Sequence, residues 1–341
     1  MRGWLKTGVI AAAFLFATFI ALELSLRFYL FGPTGLSPEK VGSFSLIFDS
    51  GYVQPADNLD IWYELKPDEN GLFRGAPFRT NSQGLADDEY SFQKSPNTVR
   101  VAVVGSSWSM GSGVAIEDVY HSVLERELNN SSRAIRYEFI NFGVEFYGLQ
   151  EIVATARDKV LRYEPDLILV EITGSTPAIR WMPHDTAFVV PAPRKNTAWH
   201  PLLADRIDTV LGVSGNHPDE VSVYRDVVPK DEWGTYWAQV ERAFTELEQL
   251  SSETGIPIAT VWLRANVEEG DKGGKRFLAR AAEHGIAAAE VNLDSFLQPG
   301  EHLLSLLVSR VEPHPNARGH ELIAGELRKQ LLDPNPLFAQ R

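Results

Sequence analysis

The chain of 341 residues contains no cysteine, which excludes disulfide bonds, thiolate metal ligands and a cysteine nucleophile. It also lacks clusters of lysine and arginine, and its formal net charge is -13. Because binding to phosphate backbones needs clustered positive charge, this composition argues against a nucleic acid as a partner. Internal repeats are absent, and the histidines do not show the His-x-x-x-His spacing of a helical metal site. We therefore expect one large domain or two small ones, without a metal ion or another cofactor.

The longest apolar run lies at the N-terminus, where residues 7–22 carry no charge. A membrane-spanning helix needs roughly 20 residues, and the apolar character resumes beyond Glu23. Glu23 and Arg27 are four residues apart, so they can pair on one helix face near the membrane surface. Basic residues precede the run, so the positive-inside rule places the N-terminus in the cytoplasm and the rest of the chain outside it. The pattern predicts a single-pass anchor in the cytoplasmic membrane over residues 1–32.

A cleaved signal peptide is the alternative interpretation of the same run. The run is long, however, and it lacks a clear small-x-small cleavage site before a polar mature start. These features favour an uncleaved anchor.

Residues 33–97 differ in character from what precedes and follows them. Proline, glycine, asparagine and aspartate are frequent, and short apolar or aromatic segments at 44–48, 61–65 and 72–78 are separated by turn signals. This pattern predicts a small β-rich extension packed on the main domain.

From residue 98 onward, buried strands alternate with amphipathic helices. Continuous apolar runs predict strands at 99–104, 137–142, 167–172, 258–263 and 287–291. Helical periodicity separates these runs, and a final helix is predicted at 316–332. The alternation indicates right-handed crossovers, and hence an α/β domain over 98–333 with a five-stranded parallel sheet and helices on both faces.

One long insertion interrupts this alternation after the third strand. Residues 178–230 hold six of the twenty prolines, so regular secondary structure is disfavoured there. Long irregular insertions in compact domains are commonly functional covers or disordered loops. We predict a lid that faces the substrate; a surface embellishment without substrate contact is the alternative.

The turn after the first strand holds the candidate nucleophile, Ser107. The apolar strand ends in Gly105-Ser106-Ser107, and a helical pattern follows. Open α/β sheets bind ligands at the carboxyl ends of their strands, where this turn is predicted to lie. A plain turn is one alternative, and anion binding at a helix start is another. The latter is disfavoured because the loop lacks the P-loop lysine and does not spell Gly-x-Gly-x-x-Gly.

The candidate general base, His314, lies in a proline-bracketed loop just before the final helix. Glu312 precedes it by two residues, so its carboxylate could orient the imidazole ring and stabilise the imidazolium. A polar loop residue or helix cap is the alternative role for His314. His320 falls within the final helix and is predicted to be a framework residue.

Four motifs occur together in a characteristic order. They are Gly105-Ser-Ser107 after strand one, Asn141-Phe-Gly-Val after strand two, Thr173-Gly-Ser175 after strand three, and Glu312-Pro-His314-Pro-Asn-Ala-x-Gly-His before the last helix. This order resembles that of the SGNH (GDSL-type) hydrolases, over roughly residues 78–332. More narrowly, the chain resembles membrane-anchored bacterial members with a β-rich segment before the hydrolase domain, whose lead-in is similar to Arg79-Thr-Asn-Ser-Gln-Gly84.

The resemblance implies a flavodoxin-like, three-layer α/β/α domain and metal-free hydrolysis or transfer of ester-linked acyl groups. By position, it implies Ser107 as the nucleophile and His314 as the base, assisted by Glu312. It also implies an oxyanion site formed by backbone N–H groups at Ser107 and Phe146, with a side-chain donor at Ser175.

Several positions depart from the pattern of the family. Ser106 stands where the family has aspartate, Phe146 where it has glycine, and Ser175 where it has asparagine, while Glu312 replaces the usual aspartate. Loss of one well-placed oxyanion donor costs roughly 10²–10³ in rate. Such losses slow an enzyme without abolishing it.

Two functional hypotheses therefore remain open. In the first, the protein is an extracytoplasmic, membrane-anchored serine esterase or acyltransferase. Its substrate would be an acylated small molecule or glycan, such as an O-acetylated envelope polysaccharide. In the second, the site has decayed, and the protein is a binding or scaffold component of envelope polysaccharide assembly. The acyl group, its acceptor and any protein partner are not specified by the sequence.

Overall fold

The computed structural model describes residues 2–131, 134–181, 232–265 and 272–338. Nearly all of the predicted lid, 178–230, lies outside these residues.

The chain begins with helix α1 (Arg2–Phe31), which is long and apolar enough to cross a membrane by length and composition. Glu23 and Arg27 pair near its end, with 2.6 Å between Arg27 Nε and Glu23 Oε1.

The end of α1 is bound to the rest of the protein. The backbone N–H of Arg310 donates to the Leu30 carbonyl at 3.1 Å. The rings of Phe31 and Phe44 meet edge to face, with centroids 4.8 Å apart. These contacts join the last turn of α1 both to the residues that follow it and to the loop that precedes the C-terminal helix.

The extension consists of short helices and two small hairpins. Its elements are α2 (Pro38–Gly42), α3 (Ile47–Ser50), β1 (Val53–Pro55) with β2 (Tyr63–Leu65), and β3 (Asn70–Phe73) with β4 (Ala76–Arg79). The aromatic segment 44–48 leads into α3 rather than forming a strand. Ile47 and Phe48 are fully buried, and they share a core cluster with one face of the main sheet. The extension is therefore packed on the main domain, as predicted.

Within the described residues, five strands form the main parallel sheet. They are β5 (Thr98–Val104), β6 (Arg136–Asn141), β7 (Leu167–Thr173), β8 (Ile258–Arg264) and β9 (Ala287–Asn292). Their spatial order is β6-β5-β7-β8-β9, which is the flavodoxin-like order 2-1-3-4-5. Each strand matches its predicted bounds to within one residue, and the predicted α/β fold class is confirmed.

Helices cover both faces of this sheet. They are α4 (Ser107–Met110), α5 (Tyr120–Ser131), α6 (Leu149–Asp158), α7 (Trp233–Thr254), α8 (Lys272–Glu283) and α9 (Ala317–Leu327). Successive strand residues point to opposite faces, so Val101 and Val103 pack with α5 and α9, whereas Ala102 and Val104 pack with α6, α7 and α8. Both faces are apolar for this reason, and the carboxyl ends of β5, β6 and β7 meet at one edge.

Candidate active site

The turn that carries Ser107 is built by close packing at the end of β5. Ser107 is the first residue of α4, and Gly111 ends this helix with a φ of 81°. A Cβ at Gly105 would lie 2.4 Å from Glu171 Oε2 and 2.5 Å from Ser109 Oγ, so only glycine fits there. The half-buried Ser107 thus lies at the carboxyl edge of the sheet, as its sequence pattern predicts.

A buried carboxylate beneath this turn was missed by the sequence pattern. Glu171, in β7, is fully buried and accepts hydrogen bonds from the N–H groups of Ser106 (2.7 Å) and Ser109 (3.3 Å). The hydroxyls of the same two serines also donate to it, at 3.2 and 3.0 Å. Burial raises the pKa of Glu171, and the hydrogen bonds act in the opposite direction. A glutamate within an otherwise apolar strand was the available signal, because a buried carboxylate needs such partners.

His314 and Glu312 lie in a tight hairpin before α9. Val308 N–H donates to the His314 carbonyl at 2.9 Å, and Ser309 N–H donates to the Glu312 carbonyl at 3.1 Å. His314 Nδ1 is hydrogen-bonded to Glu312 Oε1, while Arg74 Nη1 donates to the other oxygen of Glu312. Burial raises the pKa of Glu312, but the hydrogen bond to His314 and the charges of His314 and Arg74 outweigh it and lower the value. The structure therefore brings the two predicted residues into the contact that an oriented base requires.

Ser107 and His314 belong to one hydrogen-bonded network. Ser112 N–H donates to the Ser107 carbonyl at 3.1 Å, and Ser112 Oγ donates to Glu145 Oε2 at 2.9 Å. Arg74 then joins Glu145 to the carboxylate that holds His314. In the described part of the chain, no hydrogen bond joins the Ser107 hydroxyl directly to His314. Such bonds are often long until substrate binds.

Phe146 has a backbone conformation that favours glycine. It lies in the turn Val144–Tyr147, which is closed by a 3.1 Å bond from Tyr147 N–H to the Val144 carbonyl. Its φ is 64°, at a turn position where glycine is preferred. Its ring stacks on Phe48, with centroids 5.7 Å apart. Within the described residues, neither the N–H of Phe146 nor that of Ser107 has a hydrogen-bond acceptor, so both remain available as donors.

Ser175 and His320, the other residues that the sequence singles out, lie in different environments. Ser175 follows β7, is exposed, and shares a 2.9 Å hydrogen bond with Thr173 Oγ1. His320 is fully buried in α9, and its Nδ1 accepts from Tyr120 N–H at 3.4 Å. Burial and the nearby His121 and His314 lower the pKa of His320 to about 3, so it stays neutral in the framework. Among the residues described, no group of three or more histidine, aspartate or glutamate side chains is arranged to hold a metal ion.

Several solved structures with a similar fold are described as esterases or lipolytic proteins. A protein from Desulfitobacterium hafniense DCB-2, described as lipolytic and of the G-D-S-L family, is 14% identical with a TM-score of 0.40, covering 68% of this chain and 99% of that one. An acetyl xylan esterase is 12% identical with a TM-score of 0.42, covering 68% and 100%. A two-domain esterase active on acetylated mannans is 15% identical with a TM-score of 0.44, covering 72% of this chain and 50% of that one.

No protein-family model and no curated protein matches the chain. Of these three structures, the protein from Desulfitobacterium hafniense is the one described as a member of the G-D-S-L family. Because the sequence identities are below 25% and the TM-scores are below 0.5, the activities of these proteins are not assigned to this chain. The α/β fold of this chain is established by its own strand order and packing.

Proposed function

We propose that this protein is a membrane-anchored, extracytoplasmic serine esterase or acyltransferase. Ser107 is its nucleophile, His314 its general base, and Glu312 the carboxylate that orients the base. The observation that carries the proposal is the Glu312–His314 pair, which a hydrogen-bonded network joins to a serine at the start of a helix at the sheet edge. Two backbone N–H groups without an acceptor in the described residues, those of Ser107 and Phe146, complete the set of groups that ester cleavage needs.

The chemistry follows from these positions. His314 Nε2 takes the proton of the Ser107 hydroxyl while Oγ forms a bond to the ester carbonyl carbon. The carbonyl oxygen becomes an oxyanion, which accepts hydrogen bonds from the N–H groups of Ser107 and Phe146. The bond to the leaving alkoxide then breaks, and His314 returns the proton to that oxygen. Water or a sugar hydroxyl releases the acyl group from Ser107 by the same steps in reverse.

The proposed substrate class is an O-acyl ester, such as an acetyl group, on an envelope polysaccharide or a similar glycan. This choice follows from the location, because a domain held outside the cytoplasmic membrane meets the esters of the cell envelope. The same geometry serves hydrolysis and transfer, since the two differ only in the second acceptor.

The uncleaved anchor is part of the proposal. The hydrogen bond between Arg310 and Leu30 and the ring contact between Phe31 and Phe44 support it, because cleavage of α1 would remove both contacts. We expect the intact mass of protein extracted from membranes to include α1. A mature mass that lacks roughly the first 15 to 30 residues, the length of a signal peptide, would contradict the anchor.

The scaffold hypothesis remains the second candidate. It is favoured by the lack, within the described residues, of a hydrogen bond between the Ser107 hydroxyl and His314, and by the phenylalanine at the expected glycine position. The two candidates differ in one respect that is simple to measure, since only the esterase turns over an ester in a His314-dependent way.

The test is an ester-hydrolysis assay of the full-length protein in detergent micelles, with p-nitrophenyl acetate and with acetylated xylan. We expect wild-type turnover to fall by roughly 10²–10⁴-fold in His314→Asn, because the general base is lost. His302→Asn, at an exposed histidine in the same region, is the matched control and should keep wild-type activity. Equal rates for the wild type and His314→Asn would overturn the esterase and favour the scaffold.

A further inference from the structure

An arginine from the extension reaches into the candidate site. Arg74 occupies the tip of the β3–β4 hairpin, and its side chain lies between two carboxylates of the main domain. Its Nη1 donates to Glu312, its Nη2 to Glu145, and its Nε to Glu145 Oε2 at 3.3 Å. The side chain is only 12% exposed, and those of Glu145 and Glu312 are 1% and 0% exposed. One buried cation thus joins the partner of His314 to the loop that carries Phe146.

The backbone at this tip holds Arg74 in a conformation that arginine rarely adopts. Arg74 and Gly75 form a two-residue turn with φ values of 49° and 86°. Turns of this kind favour asparagine or glycine at both positions. Arg74 N–H donates to the Ser43 carbonyl at 3.0 Å, and Gly75 N–H donates to Ser43 Oγ at 2.9 Å. The surrounding extension therefore holds arginine at a position where its backbone conformation is unfavourable.

The extension also contacts the Phe146 loop directly. Tyr63 Oη donates to the Glu145 carbonyl at 2.7 Å, and Tyr147 Oη donates to the Tyr63 carbonyl at 2.8 Å. The Phe48 ring stacks on Phe146. The extension thus supports one loop of the site by packing and links it to the other through Arg74.

We propose that Arg74 is a positioning residue of the site, which holds Glu312 oriented and ionised against His314 and couples this pair to the Phe146 loop. The inference rests on the proposed function, and it gives the extension a role. Arg74 contacts no reacting atom, and it acts through Glu312.

The charges around Glu312 determine the sign of the pH effect. The titratable groups that contact Glu312 among the described residues are His314 and Arg74, and Glu145 faces it across Arg74. Burial raises the pKa of Glu312, whereas His314 and Arg74 lower it below its ordinary value. Without Arg74, less positive charge opposes the effect of burial on the pKa of Glu312. The pKa therefore rises, and Glu312 takes up a proton at higher pH. A protonated Glu312 no longer stabilises the imidazolium that forms during catalysis, so at acidic pH the variant has a smaller active fraction than the wild type.

The test is the pH profile of ester hydrolysis by full-length Arg74→Met. We expect kcat at pH 7 to fall by roughly 10²-fold, because the base is misplaced, while KM for p-nitrophenyl acetate stays unchanged. The acidic limb of the profile should move to higher pH. Arg74→Lys keeps the positive charge but cannot contact both carboxylates as the guanidinium does. It should restore the acidic limb of the wild-type profile and only part of kcat.

Two further variants keep the test decisive. Arg74→Met leaves Glu145 buried without its cation, so Arg74→Met/Glu145→Gln is measured beside it in case the single variant does not fold. Arg79→Met removes an arginine of the same hairpin whose ion pair with Asp88 is exposed, and it should retain the wild-type profile. A folded double variant with wild-type kcat and an unmoved acidic limb would overturn the proposal.

A readout without turnover separates this inference from the proposed function. In protein labelled with ¹³C-glutamate, the Glu312 carboxyl signal is assigned by its loss in Glu312→Gln. We expect its titration midpoint to rise by about one pH unit or more in Arg74→Met. An unmoved midpoint would contradict the role of Arg74 whether or not the wild type hydrolyses esters, whereas an inactive wild type with a moved midpoint would contradict only the proposed function.

Discussion

Replacement of Ser107 by alanine is expected to lower kcat for p-nitrophenyl acetate by roughly 10⁴–10⁶-fold, because the attacking oxygen is removed. The oxyanion donors and substrate contacts remain, so residual turnover above the uncatalysed rate is expected. The fold should be unaffected, because in the described residues the Ser107 hydroxyl makes no hydrogen bond that the variant would lose. The measurement is steady-state hydrolysis by the full-length variant, with the unfolding midpoint measured on the same sample.

Ser106→Ala is the control for this prediction. It removes the neighbouring hydroxyl, which donates to Glu171 at 3.2 Å, but it leaves the stronger contact from the Ser106 N–H. We expect its kcat to stay within roughly tenfold of the wild type, because one neutral hydrogen bond is lost. If Ser106→Ala loses as much activity as Ser107→Ala, or if Ser107→Ala retains full activity, the assignment of the nucleophile is wrong.

Replacement of Glu171 by alanine is expected to destabilise the fold far more than replacement of Ser106 or Ser107. The N–H groups of Ser106 and Ser109 would lose their acceptor in a fully buried position, and a cavity would form beneath the turn. Each unsatisfied buried donor costs about 1–3 kcal/mol, so we expect a total loss of about 4 kcal/mol. The unfolding midpoint should fall by on the order of 10 °C. Thermal unfolding followed by circular dichroism measures this shift.

Two variants control for the loss of a side chain as such. Glu171→Gln keeps one acceptor oxygen and the side-chain volume, so it should cost only about 1 kcal/mol. Glu321→Ala removes an exposed glutamate on α9 and should leave the midpoint unchanged. A midpoint for Glu171→Ala as high as that of Glu321→Ala would contradict the role of Glu171 in supporting the nucleophile turn.

The sheet could be predicted from the sequence because its strands are continuous apolar runs between amphipathic helices. The position of Ser107 followed from the same pattern, since a turn after such a strand lies at the ligand-binding edge. The contact between Glu312 and His314 was also predictable, because only Pro313 separates them. Each of these features depends on residues close together in the chain.

The partners of Arg74 and Glu171 could not be predicted, because these contacts join distant parts of the chain. Arg74 lies 238 residues before Glu312, and Glu171 lies 65 residues after Ser106. No periodicity marks such pairs, and the extension gave no local signal of its role. The aromatic segment 44–48 was also difficult to assign, although its contacts are local. Its apolar character alone did not indicate that it leads into the helix α3 rather than a strand.

The most direct test of the central claim is the reaction of the full-length protein with a fluorophosphonate, measured by intact mass and peptide mapping. A serine activated by His314 attacks the phosphorus and displaces fluoride, which leaves one phosphonyl group on the nucleophile. We predict a single adduct on Ser107 in the wild type and none in His314→Ala. The absence of an adduct on the folded wild-type protein, or an adduct on another serine, would contradict the account.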